Sequence, residues 1–347
     1  MAGTTTSSGS LRTYLLTRLL LVIPMVWILV TIVFFLMRVI GDPIEAALGG
    51  RLPPDQIAER RAAAGLDAPL LKQYWDYLVG LVQFDFGRTI TDNREVSEVL
   101  LTNGAATLEL TFWAFLVAIL VGVPLGRVAA KHRDRFGDVT LRILGVLFYA
   151  MPVFFVGLLA KLLFSVALDW LPASGRADTA TTLALQNVSP KTNIYLFDAI
   201  LYGDPAYVGD VLLHTILPAV TLGLLTAGIF LRLVRTNLLQ TLRADYVEAA
   251  RARGVPEKYV VRRHAFRNAL VPVVTVMGLQ AALLLGGAIL TERTFEWQGI
   301  GYVLSDYLLR RDFIAVQGIV TAIAIVVVLA SFLIDVVTAF VDPRVRY

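Results

Sequence analysis

Six stretches of the chain, residues 19–37, 110–126, 143–160, 211–231, 269–291 and 313–334, are almost wholly apolar and hold no formal charge. Each approaches the roughly 20 residues a helix needs to cross a hydrocarbon core about 30 Å thick. Lipid offers no partner for a bare N–H or C=O, so such segments must close their hydrogen bonds internally, as helices do. The blocks are continuous rather than short and alternating, which excludes a β-barrel pattern. Composition agrees: 57% of residues are hydrophobic and 17% charged, against about 25% charged in soluble domains. The expected fold is an all-α integral membrane protein with six transmembrane helices. The two shortest blocks can be extended: the second through 107–110, which brings in Glu109, and the third through 162–168, with Lys161 snorkelling or facing protein.

Cysteine is absent, which excludes disulfides, thiolate catalysis and cysteine zinc sites. His132, His214 and His264 lie far apart in sequence, and no metal site is expected of them. The net charge of +4 does not point to nucleic acid, because the basic residues gather beside apolar blocks. Arg12 and Arg18 precede the first block as in a signal peptide, but its core is too long and no small-x-small cleavage site follows, so it is read as retained. Residues 1–10 read as a disordered cytoplasmic leader, 11–40 as the first transmembrane helix and 41–104 as a long extracytoplasmic loop. The remainder, 105–347, reads as a core with five spans.

Lysine and arginine set the expected orientation. Arg127, Lys131, Arg133, Arg135 and Arg142 lie between spans two and three. Nine basic residues, from Arg232 to Arg267, lie between spans four and five, and Arg344 and Arg346 follow span six. These fall on one side if both termini are cytoplasmic; Arg293, Arg310 and Arg311 count mildly against that.

The segment between spans four and five is the most informative. Residues 242–253 lack Gly and Pro and suit a helix; Gly254 is placed to end it, and Pro256 to open a second short helix over 257–268. This predicts a helix–turn–helix at the membrane face. Ala249 and Ala250 would let another protein approach the backbone closely, with Glu248 beside them as a polar contact. On composition alone, an amphipathic hairpin whose arginines bind anionic lipid is an equal alternative.

Glu248-Ala249-Ala250, three residues, then Gly254 resembles the EAA loop of membrane subunits of ATP-binding cassette importers. The run from His264 to Pro272 is similar to the ending seen in the dipeptide/oligopeptide/nickel permease family. Gly41-Asp42-Pro43, Asp85-Phe86-Gly87, Thr107-Leu108-Glu109-Leu110, Gly122-Val123-Pro124-Leu125-Gly126, Trp297-Gln298-Gly299-Ile300-Gly301 and Asp342-Pro343-Arg344 continue the resemblance, which covers the chain from Leu11 onward. Departures such as Ile40, Phe84, Ala105 and Gln298, where the family often has other residues, leave the EAA core untouched.

The resemblance implies a type I importer permease: half of a translocation pathway in a bacterial cell membrane, paired with a homologous second permease. It also implies two cytoplasmic ATP-binding subunits gripping the EAA loop at 232–268, and an extracytoplasmic solute-binding protein delivering cargo. Glu248, Ala249, Ala250 and Gly254 would be the coupling residues. Peptide is the default cargo, with nickel and oligosaccharide among the family's others; no residue here selects between them. There is no phosphate-cradling G-x-x-x-x-G-K-[ST] run and no nucleophile–base constellation, so no enzyme activity and no cofactor is expected in this chain. A secondary transporter and a non-transporting scaffold are the competing readings. The first tends to carry midplane carboxylates, whereas these spans are nearly charge-free and Asp335 lies beyond 313–334.

Smaller features stay open. Pro152 and Pro218 either bend helices at a gate or are routine membrane prolines, the preferred reading. Gly122 and Gly126 form a small-x-x-x-small pair that favours close helix approach, although Pro124 lies between them. Tyr74, Trp75, Tyr77 and Phe84 in the first long loop either seat a binding protein or pack the loop as a cap.

Overall fold

The computed structural model describes residues 11–50, 52–189 and 191–341. The leader and the basic tail after Val341 lie outside the described residues. Among the described residues, five helices are long and apolar enough to cross a bilayer: Thr13–Ile40, Val96–Lys131, Pro205–Thr241, Glu257–Gly286 and Phe313–Ala339. Two more, Phe136–Ala150 and Val153–Ala167, make a sixth span if taken as one broken crossing.

In chain order, α1 (Leu11–Ile40) is followed by three loop helices, α2 (Pro43–Leu48), α3 (Pro54–Ala63) and α4 (Leu70–Val82). Then come α5 (Val96–Lys131), α6 (Phe136–Ala150) and α7 (Val153–Ala160), which continues as a π-helix over Lys161–Ala167. After α8 (Thr179–Leu185) and α9 (Tyr195–Tyr202) runs α10 (Pro205–Thr241). A hairpin of α11 (Asp245–Ala252) and α12 (Glu257–Tyr259) leads through a π-helix, Val260–Phe266, into α13 (Arg267–Gly287). Finally α14 (Ile289–Thr294) and α15 (Ile300–Leu309) precede α16 (Phe313–Val341). The α11 hairpin packs beside Ala130 and Leu238, the last turns of α5 and α10. That end of the bundle is termed the hairpin end, and the opposite one, with the long connections, the loop end.

The two longest helices, α5 and α10, form the central pair. Without a hydrophobic drive between helices in lipid, close backbone approach is what holds them. A Cβ on Gly122 would sit 2.6 Å from the Ala227 carbonyl oxygen, one on Gly126 2.7 Å from that of Leu231, and one on Gly223 2.6 Å from that of Ala114. Pro124 does not interrupt the seam, since α5 runs through it. The α6 helix joins the same seam where Gly228 meets the Gly145 carbonyl.

The expected third span, 143–160, is not one rod: α6 and α7 meet at 103°. Pro152 has no N–H to continue the helix and forces the residue before it out of the helical region. Met151 accordingly sits at φ −79°, ψ 136°. Pro24, Pro124, Pro218 and Pro272 all lie within continuous helices. Lys161 does not snorkel; its Nζ donates to the Thr294 carbonyl at 2.8 Å, at the C-terminus of α14, and lies over the Phe295 ring.

At the seam, Gly223→Val should lower stability by about 1–3 kcal/mol through overpacking. Gly209→Val in the same helix, where a Cβ meets nothing within 4 Å, should leave it within about 0.5 kcal/mol. Thermal unfolding of both in the same detergent checks this.

Candidate functional site

The hairpin follows from punctuation in the sequence. At about 1.5 Å per residue, the 37 residues of α10 extend about 55 Å, far beyond the hydrocarbon core, so one end of α10 must leave it. Helix α11 begins at Asp245, not at Leu242: residues 242–244 form a turn that redirects the chain. Its end is a Schellman cap. The Gly254 N–H donates to the Arg251 carbonyl at 2.9 Å and the Val255 N–H to the Ala250 carbonyl at 3.3 Å. Gly254 sits at φ +77° with open space around it, so glycine is there for its backbone freedom, not for want of room.

Arg251 then braces the turn, its guanidinium forked onto the Glu257 carboxylate at 3.0 and 2.8 Å and bonded to the Leu242 carbonyl. Glu257 beside Arg251 raises the guanidinium's pKa still further. The second arm is not a separate short helix over 257–268. It continues through the π-helix into α13, so 257–286 forms one helical rod from the tip of the hairpin into the bilayer. Arg127 lies over the Phe266 ring, tying that rod to α5.

The expected close-packing pair of alanines divides. Ala249 is exposed, as is Glu248, whereas Ala250 is 7% exposed and packs with Val247, Val260, Ala265 and Ala269 of the chain itself. Residues 247 and 250 are one turn apart on the inward face, and that spacing puts 248 and 249 outward. Ala250 therefore packs α11 on its own base, and Glu248 and Ala249 are the outward members of the motif.

Two buried ionic groups complete the frame, and their partners were not legible in sequence. At the hairpin end, Asp138 is fully buried and held by a bidentate Arg235, 2.6 and 2.7 Å away, while it accepts the Asp134 N–H. Positive-inside counting registers Arg235 only as a basic residue. At the loop end, Glu109 and Arg176, 2% and 7% exposed at the side chain, pair at 2.6 Å. Glu109 also accepts the N–H groups of Tyr195 and Leu196. Arg176 lies 3.7 Å from the Tyr195 ring centroid and 5.5 Å from that of Trp297.

Beside this pair, Glu292 accepts from Thr107 Oγ1 at 2.7 Å and from the Tyr302 N–H at 2.8 Å. Burial pushes the Glu292 carboxyl up, against the pull of those hydrogen bonds. Trp297 is fully buried and donates Nε1–H to the Ala106 carbonyl. The second and third loop-end connections are thus fastened to the start of span two. Neither group offers a nucleophile with a base, and their charges are spent on structure.

The described residues thus form a bundle of membrane-crossing helices with a capped hairpin at one end. The comparisons give the family. The description "Binding-protein-dependent transport system inner membrane component" matches residues 122–347, and the companion N-terminal description matches residues 11–111. The chain belongs to this family: it is a multi-pass permease subunit of an ATP-binding cassette importer, with the all-helical type I fold. It is 40% identical over 332 residues to the di/tripeptide transport system permease protein DppB of Pseudomonas aeruginosa, covering 95% of this chain and 97% of that one. It is 38% identical to the dipeptide transport system permease protein DppB of Escherichia coli K12, covering 96% and 98%. To the glutathione transport system permease protein GsiC of Salmonella typhimurium it is 35% identical, covering 96% and 99%.

Glu109→Gln leaves Arg176 buried beside a neutral partner. Breaking one side of a buried pair costs about 3–5 kcal/mol. Hydrogen exchange over residues 175–196 should therefore quicken markedly, while exchange in α11 stays unchanged.

Proposed function

We propose that the chain carries peptides or closely related small solutes, and that it takes its power stroke through the 242–256 elbow. Glu248 and Ala249 face outward for the groove of a cytoplasmic ATP-binding subunit, with Glu248 as the polar contact. Gly254 sets the turn, and Ala250 holds the elbow on its base. One observation carries this reading: the outward pair sits on α11, which the capped turn and the Arg251–Glu257 fork join to a helical rod running from 257 to 286, so a push on the elbow is delivered inside the membrane.

In this scheme the hairpin end is cytoplasmic, and both termini lie on that side. The loop end, including residues 41–104, faces outward to a solute-binding protein. A homologous second permease completes the pathway, with residues 105–347 as this chain's share of the core, and two ATP-binding subunits sit below. ATP is hydrolysed by those partners and not here. The cargo class rests on the names of the relatives, two of which are dipeptide or di/tripeptide permeases. Asp335, in span six, is engaged by Arg18 at 3.4 Å, and the buried Glu109 and Asp138 are engaged by Arg176 and Arg235.

The test is reconstitution with the ATP-binding subunits and the binding protein. Ala249→Trp blocks the outward face and Gly254→Leu strains the turn. A lost hot-spot contact of about 1.4 kcal/mol is tenfold in affinity, so cargo-stimulated ATP hydrolysis and uptake should fall about tenfold or more with insertion intact. Ala250→Trp should instead destabilise the hairpin itself. Wild-type uptake by the first two variants would remove the coupling assignment.

A further inference from the structure

The first long loop is fastened to the bundle by α4, and α4 divides into three faces. At about 100° per residue, Gln73, Tyr74, Tyr77 and Leu81 share one flank. All four are partly buried. Tyr74 Oη shares a hydrogen bond with Thr31 Oγ1 at 2.6 Å, Tyr77 bonds Thr321 Oγ1 and stacks on Phe34, and Gln73 accepts from Arg38. Apart from Leu70, which is exposed on the packing flank, the exposed residues split by chemistry. Lys72, Asp76 and Gln83 occupy one arc of about 40°, and Leu71, Trp75, Val79 and Val82 a neighbouring arc of roughly 80°. Leu71 is 78% exposed, Trp75 65% and Val82 83%.

Depth decides what the apolar arc meets. Thr31 and Phe34 lie inside the span Thr13–Ile40, and Thr321 inside Phe313–Ala339. At 1.5 Å per residue, Thr31 and Thr321 sit about 12–14 Å from the loop-end limits of α1 and α16. A helix bonded there is level with lipid. Beside it, Phe35 packs on Tyr74, and Ile32, Phe35 and Leu36 of α1 are exposed as a spanning helix's lipid face is. The apolar arc of α4 continues that face, while its polar arc is turned aside from it.

We propose that α4 is an interfacial helix whose Leu71, Trp75, Val79 and Val82 face is buried in the acyl region of the loop-end leaflet, with Lys72, Asp76 and Gln83 at the headgroup and water side. The occupant of that face is lipid, and the first loop is a membrane-seated collar around α1 and α16. Its amphipathic pattern is that of a segment lying in a bilayer interface. Of the four loop aromatics, Tyr74 and Tyr77 are then packing residues, and Trp75 is a membrane anchor.

The chain has no cysteine, so single substitutions can be labelled directly. Leu71→Cys, Trp75→Cys, Val82→Cys and, as an aqueous reference on α3, Asp55→Cys are spin-labelled in the intact transporter in lipid nanodiscs, with the cysteine-free chain as background. The readout is collision with oxygen, which concentrates in lipid, against a water-soluble nickel chelate. The ratio of oxygen to nickel collisions should be severalfold higher at the three α4 positions than at residue 55. Nickel access equal to that at residue 55 would place the face in water and overturn the proposal. Loss of both collisions would show a protein covering it, a second permease or binding protein, and would overturn it equally. The measurement uses no ATP and no cargo, so its outcome is independent of the coupling assignment.

Discussion

The backbone-to-backbone approach of α5 and α10 is the constraint on which the rest of the structure depends. A helix pair in lipid gains nothing by hiding apolar surface, because the tails around it are as apolar as its own side chains; only close contact distinguishes the paired state. Gly122, Gly126 and Gly223 supply that contact, with alanines 114 and 118 fully buried in the same α5 stripe. Helix α10 carries the remaining parts. At one end it holds α6 through Gly228 and the Asp138–Arg235 fork. At the same end it delivers the chain into the hairpin, whose base is built partly from its own Leu238.

In the proposed coupling scheme, the closely packed α5–α10 pair and the through-going rod are what would let an elbow outside the membrane act inside it. A hairpin joined to its span by a flexible loop would absorb force in the joint. Here the joint between hairpin and span is helical throughout, and the elbow's other connection is a short turn over 242–244. The π-helix at Val260–Phe266 is the irregular stretch in that rod, lying where Val260 and Ala265 face the base and Phe266 meets Arg127. Single-turn π segments inside helices are commonly found at functional sites, and this one separates the part of the rod at the elbow from the part in lipid.

What could be read in the sequence was whatever a run or a breaker encodes. Apolar runs gave the five unbroken spans, and Gly254 with Pro256 placed the turn. The Gly122–Gly126 pair marked the seam even with Pro124 between. Other features depend on contacts distant in sequence. Pro152 is one proline among several in the spans, and nothing local says that it alone ends a helix while Pro218 does not. Arg176 sits in a polar loop, and only the fold brings it to Glu109, 67 positions away. The inward turn of Ala250 was readable in principle, since Val247 and Ala250 are apolar residues at helical spacing, but a motif that treats the two alanines alike hides it. In α4 the aromatic cluster was visible while its division into packing and exposed faces was not, because that depends on where α1 and α16 stand.

The buried charges also differ in kind from the rest of the packing. Taking a carboxylate and a guanidinium out of water costs several kcal/mol per ion before their attraction is counted, and an apolar pair of the same volume is often as stable. Stability alone is therefore a weak reason for Glu109 and Arg176. What such a pair supplies is a single acceptable geometry: Glu109 is satisfied only when Arg176, Tyr195 and Leu196 all arrive at it, and Thr107, two residues earlier, bonds Glu292. Two long connections are thereby fixed in register on one turn of α5, the same helix whose other end lies beneath the hairpin.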